Sequence, residues 1–218
     1  MALFFIDHTD PDLIKEKEAD LTYVDNHIHN VKLAYGKLFL SNEGLILPDY
    51  TLSDSIDIID ASRSYIENHD ASKYSQEEFD GYRRHFNPTP AEKKVDDIDS
   101  TETDAQFNEA WKHHFTCNSH HPLFWCWCNI TQRAAYDHPF DWTVESRPHA
   151  PIDMDIISII EMMSDWEAMS MYNKLSSVDF WKNHAKDERA AMTQKTIDYV
   201  DRLLKVLYPE DSNGEASV

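Results

Sequence analysis

Histidines and aspartates at widely separated positions form the pattern in this chain that is best suited to chemistry. His69 and Asp70 are adjacent in the sequence Glu-Asn-His-Asp-Ala-Ser-Lys-Tyr, with His27 upstream and Asp165 downstream. Imidazole nitrogens together with a few carboxylates are the ligands that divalent transition ions prefer. The spacing therefore predicts a metal site assembled from segments that lie far apart in the chain.

Further histidines lie between the His-Asp pair and the last aspartate, as His113-His114 and His120-His121. Trp111 and His114 share a helical face, which predicts that His114 faces inward rather than His113. The choice within His120-His121 stays open. The chain therefore has donors for one or two divalent ions, chosen from manganese, iron, cobalt, magnesium and zinc.

Three charged side chains near these ligands are candidates for the catalytic chemistry. Lys73 follows the His-Asp pair closely and is predicted to hold a phosphate oxygen. Glu161 lies one helical turn before Asp165, and either Glu161 or Glu78 is expected to manage protons. In the structural alternative, Lys73 only neutralises Asp70. Glu161 would then orient a ligand, and Glu78 would only cap a helix.

The elements that position these residues are predicted to be helices. Apolar residues alternate steps of three and four between residues 21 and 38, which predicts a long helix from about Asp10-Pro11 to Gly44. Further helices are expected over about 53–69, from 75 with a capping box to Glu78, around 107–114, over about 154–174 and over about 178–207. The remaining segments are predicted to be a solvated loop over 87–104, irregular chain over 126–151 and a polar tail over 209–218.

Length and composition favour one packed helical domain. The 218 residues suffice for a single core, which we expect to span residues 1–208. Hydrophobic residues make up 41% of the chain and only four residues are glycine. Few glycines disfavour glycine-rich phosphate loops and hairpin-rich sheets. The predicted fold class is therefore all-α, a helical bundle.

The chain is strongly acidic, with 40 acidic residues, 20 basic residues and a formal net charge of −20. Such a charge repels phosphate backbones, so no nucleic-acid polymer is expected as a partner. A small nucleotide remains compatible, because a bound metal reverses the local field. No signal peptide or membrane-spanning run is recognised, which predicts a cytoplasmic protein without a membrane partner. A phage-encoded chain would lie in the host cytoplasm, and a homodimer is allowed.

At these residues the chain resembles the HD-domain superfamily of metal-dependent phosphohydrolases. The matching pattern is His27, His69-Asp70 and Asp165, and His-Asp-Ala-Ser-Lys is similar to that motif's His-Asp-x-Gly-Lys form. The extra histidines are similar to those of binuclear members. The chain is more closely similar to uncharacterised bacterial and phage proteins over about residues 26–168. They share His-Asp-x-Ser-Lys-Tyr, Trp-x-His-His, Asn-x-His-His-Pro and Glu-Met-x-x-Asp-Trp, and bring no established activity.

The resemblance implies an HD-domain-like bundle that hydrolyses a small phosphorylated metabolite, with a nucleotide as the favoured substrate. The implied ligands are His27, His69, Asp70 and Asp165 for a primary ion and His114, His120 and His121 for a second. Ser72 stands where the superfamily has glycine, and the stretch from His27 to His69 is long. Both departures affect the expected pocket shape and substrate more than metal binding.

Two other classes of function remain open. A di-iron oxygenase would use the same helical frame, with the histidine-rich middle of the chain supplying a second iron. Tyr23, one turn before His27, would lie near such a site. A non-catalytic factor would keep the metal site as a structural or vestigial feature. It would bind a nucleotide, or a basic partner through its acidic surface.

Overall fold

A computed structural model describes residues 11–127 and 150–209, which form helices joined by turns, with no strand among them. The helices are α1 (Pro11–Tyr35), α2 (Leu52–Glu67), α3 (Phe79–Phe86), α4 (Pro90–Asp96), α5 (Thr101–Cys117), α6 (Phe124–Trp127), α7 (Ile156–Asn173), α8 (Ser177–Asn183), α9 (Lys186–Ala190) and α10 (Gln194–Leu207). A π-helical turn, Gly36–Leu40, extends α1, and a 3₁₀ turn, Ala71–Tyr74, follows α2. The prediction of an all-α bundle is confirmed.

Helix α7 packs against both α1 and α2 and forms the centre of the apolar core. Its Ile160 and Met163 are fully buried, in one cluster with Val31 and Ala34 of α1. Burying a large aliphatic side chain contributes about 1.5–3 kcal/mol. This packing holds the last turns of α1 against the first half of α7. None of the helices within residues 11–127 and 150–209 is both long and apolar enough to cross a bilayer.

Helices α3 and α5 form a second closely packed pair. A Cβ atom at Gly81 of α3 would lie 2.7 Å from the Ala110 Cβ and 2.8 Å from the backbone oxygen of Gln106. Only glycine therefore permits this separation of the two helices. The close approach places Glu78, at the start of α3, beside His114 near the end of α5.

The predicted loop over 87–104 is wrong, because this segment contains α4 and the first residues of α5. Thr89 forms a capping box with Glu92 at the start of α4. Pro90 occupies the first turn, where its missing N–H costs no helical hydrogen bond. The prediction of a loop followed the acidic, proline-containing composition of the segment rather than the capping box and the proline at its start.

The prediction of a single helix over 178–207 is also wrong. Helices α8, α9 and α10 share this range, and α10 begins after Thr193. The Thr193 side chain accepts a hydrogen bond from the backbone N–H of Thr196. A threonine that caps the following helix offers the backbone an alternative to continuing the preceding one.

The third predicted helix begins at Phe79 rather than at Ser75. The capping box predicted for Glu78 is wrong, because its side chain makes no capping hydrogen bond there. Its carboxylate instead bonds to side chains of α5. Most of the segment predicted to be irregular, 126–151, and of the predicted tail, 209–218, lies outside the described residues.

We predict that Gly81→Ala lowers the free energy of unfolding by about 1–3 kcal/mol, because the added methyl group overpacks the contact between α3 and α5. Urea unfolding followed by circular dichroism measures this change. Gly36→Ala is the matched control, because a Cβ atom there meets nothing within 4 Å. Equal stability of wild type and Gly81→Ala, or equal losses in both variants, would contradict the close helix contact.

Candidate metal centre

The four residues of the predicted primary site meet in the structure. The His27 Nε2 atom lies 3.4 Å from Asp70 Oδ2 and 3.3 Å from Asp165 Oδ1. The His69 Nε2 atom lies 3.3 Å from His27 Nε2 and 3.5 Å from Asp70 Oδ2. Two ligands bound at about 2.1 Å on opposite sides of an ion are roughly 4.2 Å apart. The donor atoms of His27, His69 and Asp70 all lie within 4.8 Å of one another and are therefore close enough to share one ion, with Asp165 beside the two imidazoles. We call these four residues the first ligand group.

A second ligand group forms on the other oxygen of Asp70. The Nε2 atoms of His114 and His120 lie 3.3 Å and 3.5 Å from Asp70 Oδ1. Together with His121, these residues offer donor atoms that all lie within 4.8 Å of one another. Asp70 thus belongs to both groups, with one oxygen facing each. Its carboxylate would supply one oxygen to each group if both groups held an ion.

Buried polar atoms without partners gather at the second ligand group. Asp70 Oδ1, His120 Nε2 and His121 Nε2 have no hydrogen-bond partner within residues 11–127 and 150–209. An unsatisfied buried polar atom costs about 1–3 kcal/mol. A cation placed between these atoms would satisfy all three. The donor set therefore fits a metal ion.

The backbone at Asp70 lets two adjacent side chains reach one centre. Asp70 has φ 54° and ψ 20°, in the left-handed region, and it separates the end of α2 from the 3₁₀ turn. Aspartate tolerates this region better than most residues other than glycine. His69 and Asp70 are each 1% exposed. The sharp turn allows both side chains to face inward.

Glu161 of α7 orients an imidazole of the first ligand group and lies close to one of the second. Its Oε1 atom accepts a hydrogen bond from His69 Nδ1 at 2.9 Å. His120 Nδ1 lies 3.2 Å from the same oxygen, although that contact lacks hydrogen-bond alignment. An N–H at the Nδ1 position of His69 leaves the Nε2 lone pair facing the centre. Glu161, His69 and His120 also form a third possible donor set. Its His69 Nδ1 and Glu161 Oε1 atoms are already hydrogen-bonded to each other.

Glu78, which precedes α3, orients a histidine of α5 in the same way. Its Oε2 atom accepts from His114 Nδ1 at 2.9 Å, and its Oε1 atom accepts from His113 Nδ1 at 2.7 Å. Its carboxylate is fully buried. The prediction that His114 faces inward is confirmed, since it is 1% exposed. His113 lies on the outer side of Glu78 and outside both ligand groups.

Lys73 contacts Asp70 and also borders a cavity. Its Nζ atom lies 2.6 Å from Asp70 Oδ2. The cavity, of about 220 Å³, lies between α1 and α3 and is lined in part by His27, His114 and Asp165. We call it the α1–α3 cavity. Lys73 is therefore paired with Asp70, as the structural alternative expects, and is also placed to meet a ligand.

A second cavity, of about 260 Å³, reaches the same centre beside α7 and α8. We call it the α7–α8 cavity. The two cavities share four lining residues, namely Trp111, His121, Asp165 and Met169. Both cavities therefore border ligands of the candidate centre.

The first ligand group carries a bound proton in the metal-free protein. Burial would lower the pKa of His27, but hydrogen bonds with Asp165 and Asp70 outweigh burial and raise the pKa to about 9. Burial would raise the pKa of Asp70, but the charges of His69 and Lys73 hold this pKa well below its usual value. At neutral pH, an ion must therefore displace a proton from His27.

Two imidazoles of the second ligand group are held neutral, whereas the third differs: burial would lower the pKa of His120, but Glu161 outweighs burial and raises it. Burial lowers the pKa of His114. Burial, together with the charge of His120, lowers the pKa of His121 well below its usual value. A neutral imidazole keeps a lone pair available for a metal, so His114 and His121 are prepared as ligands.

Sequence reasoning missed two residues of the α1–α3 cavity, Asp20 and Tyr82. Asp20 lies seven residues before His27, so the two share a face of α1. An acidic residue on the buried side of an amphipathic helix was the available signal. Tyr82 gave no comparable signal, because an aromatic residue on that face is ordinary core.

We predict that Glu161→Gln weakens ion binding by about 10- to 100-fold, because the amide lacks the charge that holds the proton on the outer nitrogen of His69. Competition with a metallochromic chelator, using Mn²⁺ and Zn²⁺, measures the affinity. Glu109→Gln, an exposed substitution on α5, is the matched control and should bind like wild type. Equal affinities for Glu161→Gln and wild type would exclude an orienting role.

The metal-free protein should lose stability as pH rises from about 6.5 to 9. The pKa of His27 is raised to about 9 in the folded protein. Protonation of His27 therefore contributes fully to the free energy of unfolding below the pKa of the unfolded state. This contribution is lost as pH rises through the folded-state pKa. The shift corresponds to on the order of 3 kcal/mol. Urea unfolding with a chelator present measures this dependence, and His27→Gln should flatten it. A gain in wild-type stability over this window would disprove the protonated state of His27.

Comparison with protein-family models identifies a family for this chain. No curated protein and no solved structure matches the chain significantly. A family model described as a family of unknown function (DUF5662) matches residues 16–206. The matched range contains every member of both ligand groups, from His27 to Asp165. Because the match covers most of its length, the chain belongs to this family of unknown function, DUF5662.

Proposed function

We propose that this protein is a metal-dependent phosphohydrolase that acts on a small phosphorylated metabolite, with a nucleotide as the favoured substrate. One observation carries the proposal: a buried carboxylate, that of Asp70, lies between two imidazole groups beside a lysine and a cavity. When bound, divalent ions supply the positive charge that polarises a phosphoryl oxygen and acidifies water. The resemblance of the ligand order to HD-domain phosphohydrolases supports the same function.

The donor atoms suggest which ions bind. The first ion would be held by His27, His69, Asp165 and Asp70 Oδ2, and the second by Asp70 Oδ1, His114, His120 and His121. Imidazoles outnumber carboxylates in the second set and equal them in the first. Such sets favour manganese, iron, cobalt or zinc over magnesium, which prefers oxygen ligands.

Lys73 would hold the phosphate group of the substrate. Burial would lower its pKa, but the Asp70 carboxylate outweighs burial and raises the pKa, so the ammonium group stays charged at neutral pH. A chain with a net charge of −20 needs local positive charge to attract an anion. Lys73 supplies that charge at the wall of the α1–α3 cavity.

Glu161 and Glu78 would position ligands rather than transfer protons to the substrate. Both carboxylates are buried and face the outer nitrogens of metal-site imidazoles. Neither belongs to the described residues that line the α1–α3 cavity. Their charges keep the Nδ1 atoms of His69 and His114 protonated and the Nε2 lone pairs directed inward.

A di-iron oxygenase is the second candidate function, and one observation favours it. The Tyr23 ring stacks on His27, with centroids 6.4 Å apart and planes 9° apart, at the edge of the same cavity. An oxidisable side chain near an iron ligand suits oxygen chemistry. This function would give oxygen uptake by the iron-loaded protein without phosphate release. A non-catalytic factor would bind a phosphorylated compound without either activity.

Reconstitution with Mn²⁺, Co²⁺, Fe²⁺ or Zn²⁺ tests the phosphohydrolase. We expect one or two ions per chain by elemental analysis, and phosphate release from a panel of nucleotides and sugar phosphates. Asp70→Asn should lower kcat/KM by about 100-fold or more, because it removes the charge shared by both ligand groups. Asp57→Asn, an exposed substitution on α2, should keep wild-type activity. Absence of bound ions, together with no phosphate release under any condition, would overturn the proposal.

A further inference from the structure

A carboxylate with an unpaired oxygen lies on the α1 side of the α1–α3 cavity. Asp20 is 3% exposed, and its Oδ1 atom accepts a hydrogen bond from Asn87 Nδ2 at 2.9 Å. Its Oδ2 atom is buried and has no hydrogen-bond partner in the part of the chain that the structure describes. The two terminal nitrogens of Arg83 are paired with Glu92, and its buried Nε atom makes no hydrogen bond to Asp20 within the described residues. A buried carboxylate oxygen without a donor indicates a ligand that supplies one.

A second unpaired polar group comes from α3. Tyr82 lines the same cavity, and its hydroxyl group is buried without a partner among residues 11–127 and 150–209. Its ring meets His114 edge-on, with centroids 5.7 Å apart, and Lys73 Nζ lies 5.6 Å from the ring centre. A tyrosine hydroxyl can both donate and accept. The cavity thus has unused hydrogen-bonding groups on two of its walls.

The distance along α1 between Asp20 and His27 sets the length of a ligand that contacts both residues. Asp20 precedes His27 by two helical turns, roughly 10 Å along the axis. The cavity volume of about 220 Å³ is below the roughly 300–1,000 Å³ of sites for drug-sized ligands. A sugar-sized group attached to a phosphate fits these dimensions. Tyr23 and Phe86 line the same cavity and are 47% and 60% exposed, available to stack on a ring that projects outward.

We propose that Asp20 and Tyr82 form a hydroxyl-recognition subsite, so that the substrate is a sugar or polyol phosphate, including the ribose end of a nucleotide. This inference takes the position of the phosphate, at Lys73 and the ligand groups, from the proposed function. Asp20 Oδ2 accepts a hydrogen bond from a substrate hydroxyl, and the Tyr82 hydroxyl pairs with the same or a neighbouring one. A site built for a hydroxyl rejects an analogue without it, because its buried polar groups stay unpaired.

Two ring-matched probes test the subsite. Ribose 5-phosphate carries hydroxyls, whereas cyclopentylmethyl phosphate keeps a five-membered ring and lacks them. Isothermal titration calorimetry with Mn²⁺-loaded protein measures both dissociation constants, and phosphate release is followed in parallel. We expect ribose 5-phosphate to bind about 10- to 100-fold more tightly, as for a hydrogen bond to a buried charged group.

Two variants assign this preference to the subsite. Asp20→Leu keeps similar volume on a helix and should reduce the affinity ratio about tenfold. Tyr82→Phe removes only the hydroxyl and should reduce the ratio about threefold. Glu18→Leu, an exposed substitution on the same helix, is the matched control and should keep the wild-type ratio. A change in folding would alter the affinity for both probes, whereas a change in hydroxyl recognition alters the ratio of the two affinities. Circular dichroism checks the folding of each variant.

The outcomes separate this inference from the proposed function. Equal binding of the two probes by wild type, or no binding of either, would overturn the subsite. So would an unchanged ratio in both Asp20→Leu and Tyr82→Phe. Hydrolysis of both probes with equal efficiency would support the phosphohydrolase and contradict the subsite. Discrimination in binding that depends on Asp20, without phosphate release with any ion, would support the subsite and count against hydrolysis.

Discussion

The buried carboxylate of Asp70 is the group on which the rest of the structure depends. It is 1% exposed and faces imidazole nitrogens with both oxygens, so its negative charge must be balanced inside the protein. An isolated buried carboxylate is strongly unfavourable unless it is paired or binds a metal. Lys73 and protonated His27 balance it in the metal-free protein. The helices around it are thus held by electrostatic pairing as well as by apolar packing.

Residue types and their order in the chain were sufficient to predict the inner layer of the site. A transition-metal centre needs imidazoles and carboxylates, and the structure brings His27, His69, Asp70 and Asp165 together as the spacing predicts. The outer layer could not be predicted in the same way. Glu78 reaches its imidazoles only because two helices approach closely, and this approach depends on long-range packing that no local pattern reveals.

For the fold, periodic patterns predicted the long helices, whereas the short helices depend on local signals. Long amphipathic or apolar segments predicted α1, α2 and α7 nearly as they occur, because burial of a helical face repeats every three to four residues. Short helices such as α4 and α9 lack enough turns for a clear period. The start of α4 depends on a single capping residue, Thr89, within a stretch whose composition is typical of loops, and α9 begins without a side-chain cap. The position of Thr193 likewise divides what periodicity reads as one helix.

The docking of α7 on α1 has a consequence for how the protein matures. His27 comes early in the chain and Asp165 comes late, so the first ligand group is complete only after α7 has been synthesised and packed. Metal binding adds to folding free energy only when its ligands have been brought together. An ion that needs all four of these ligands would therefore be bound only after α7 has packed. Because such a donor set accepts several transition ions, the metal available at that moment would decide which ion occupies it.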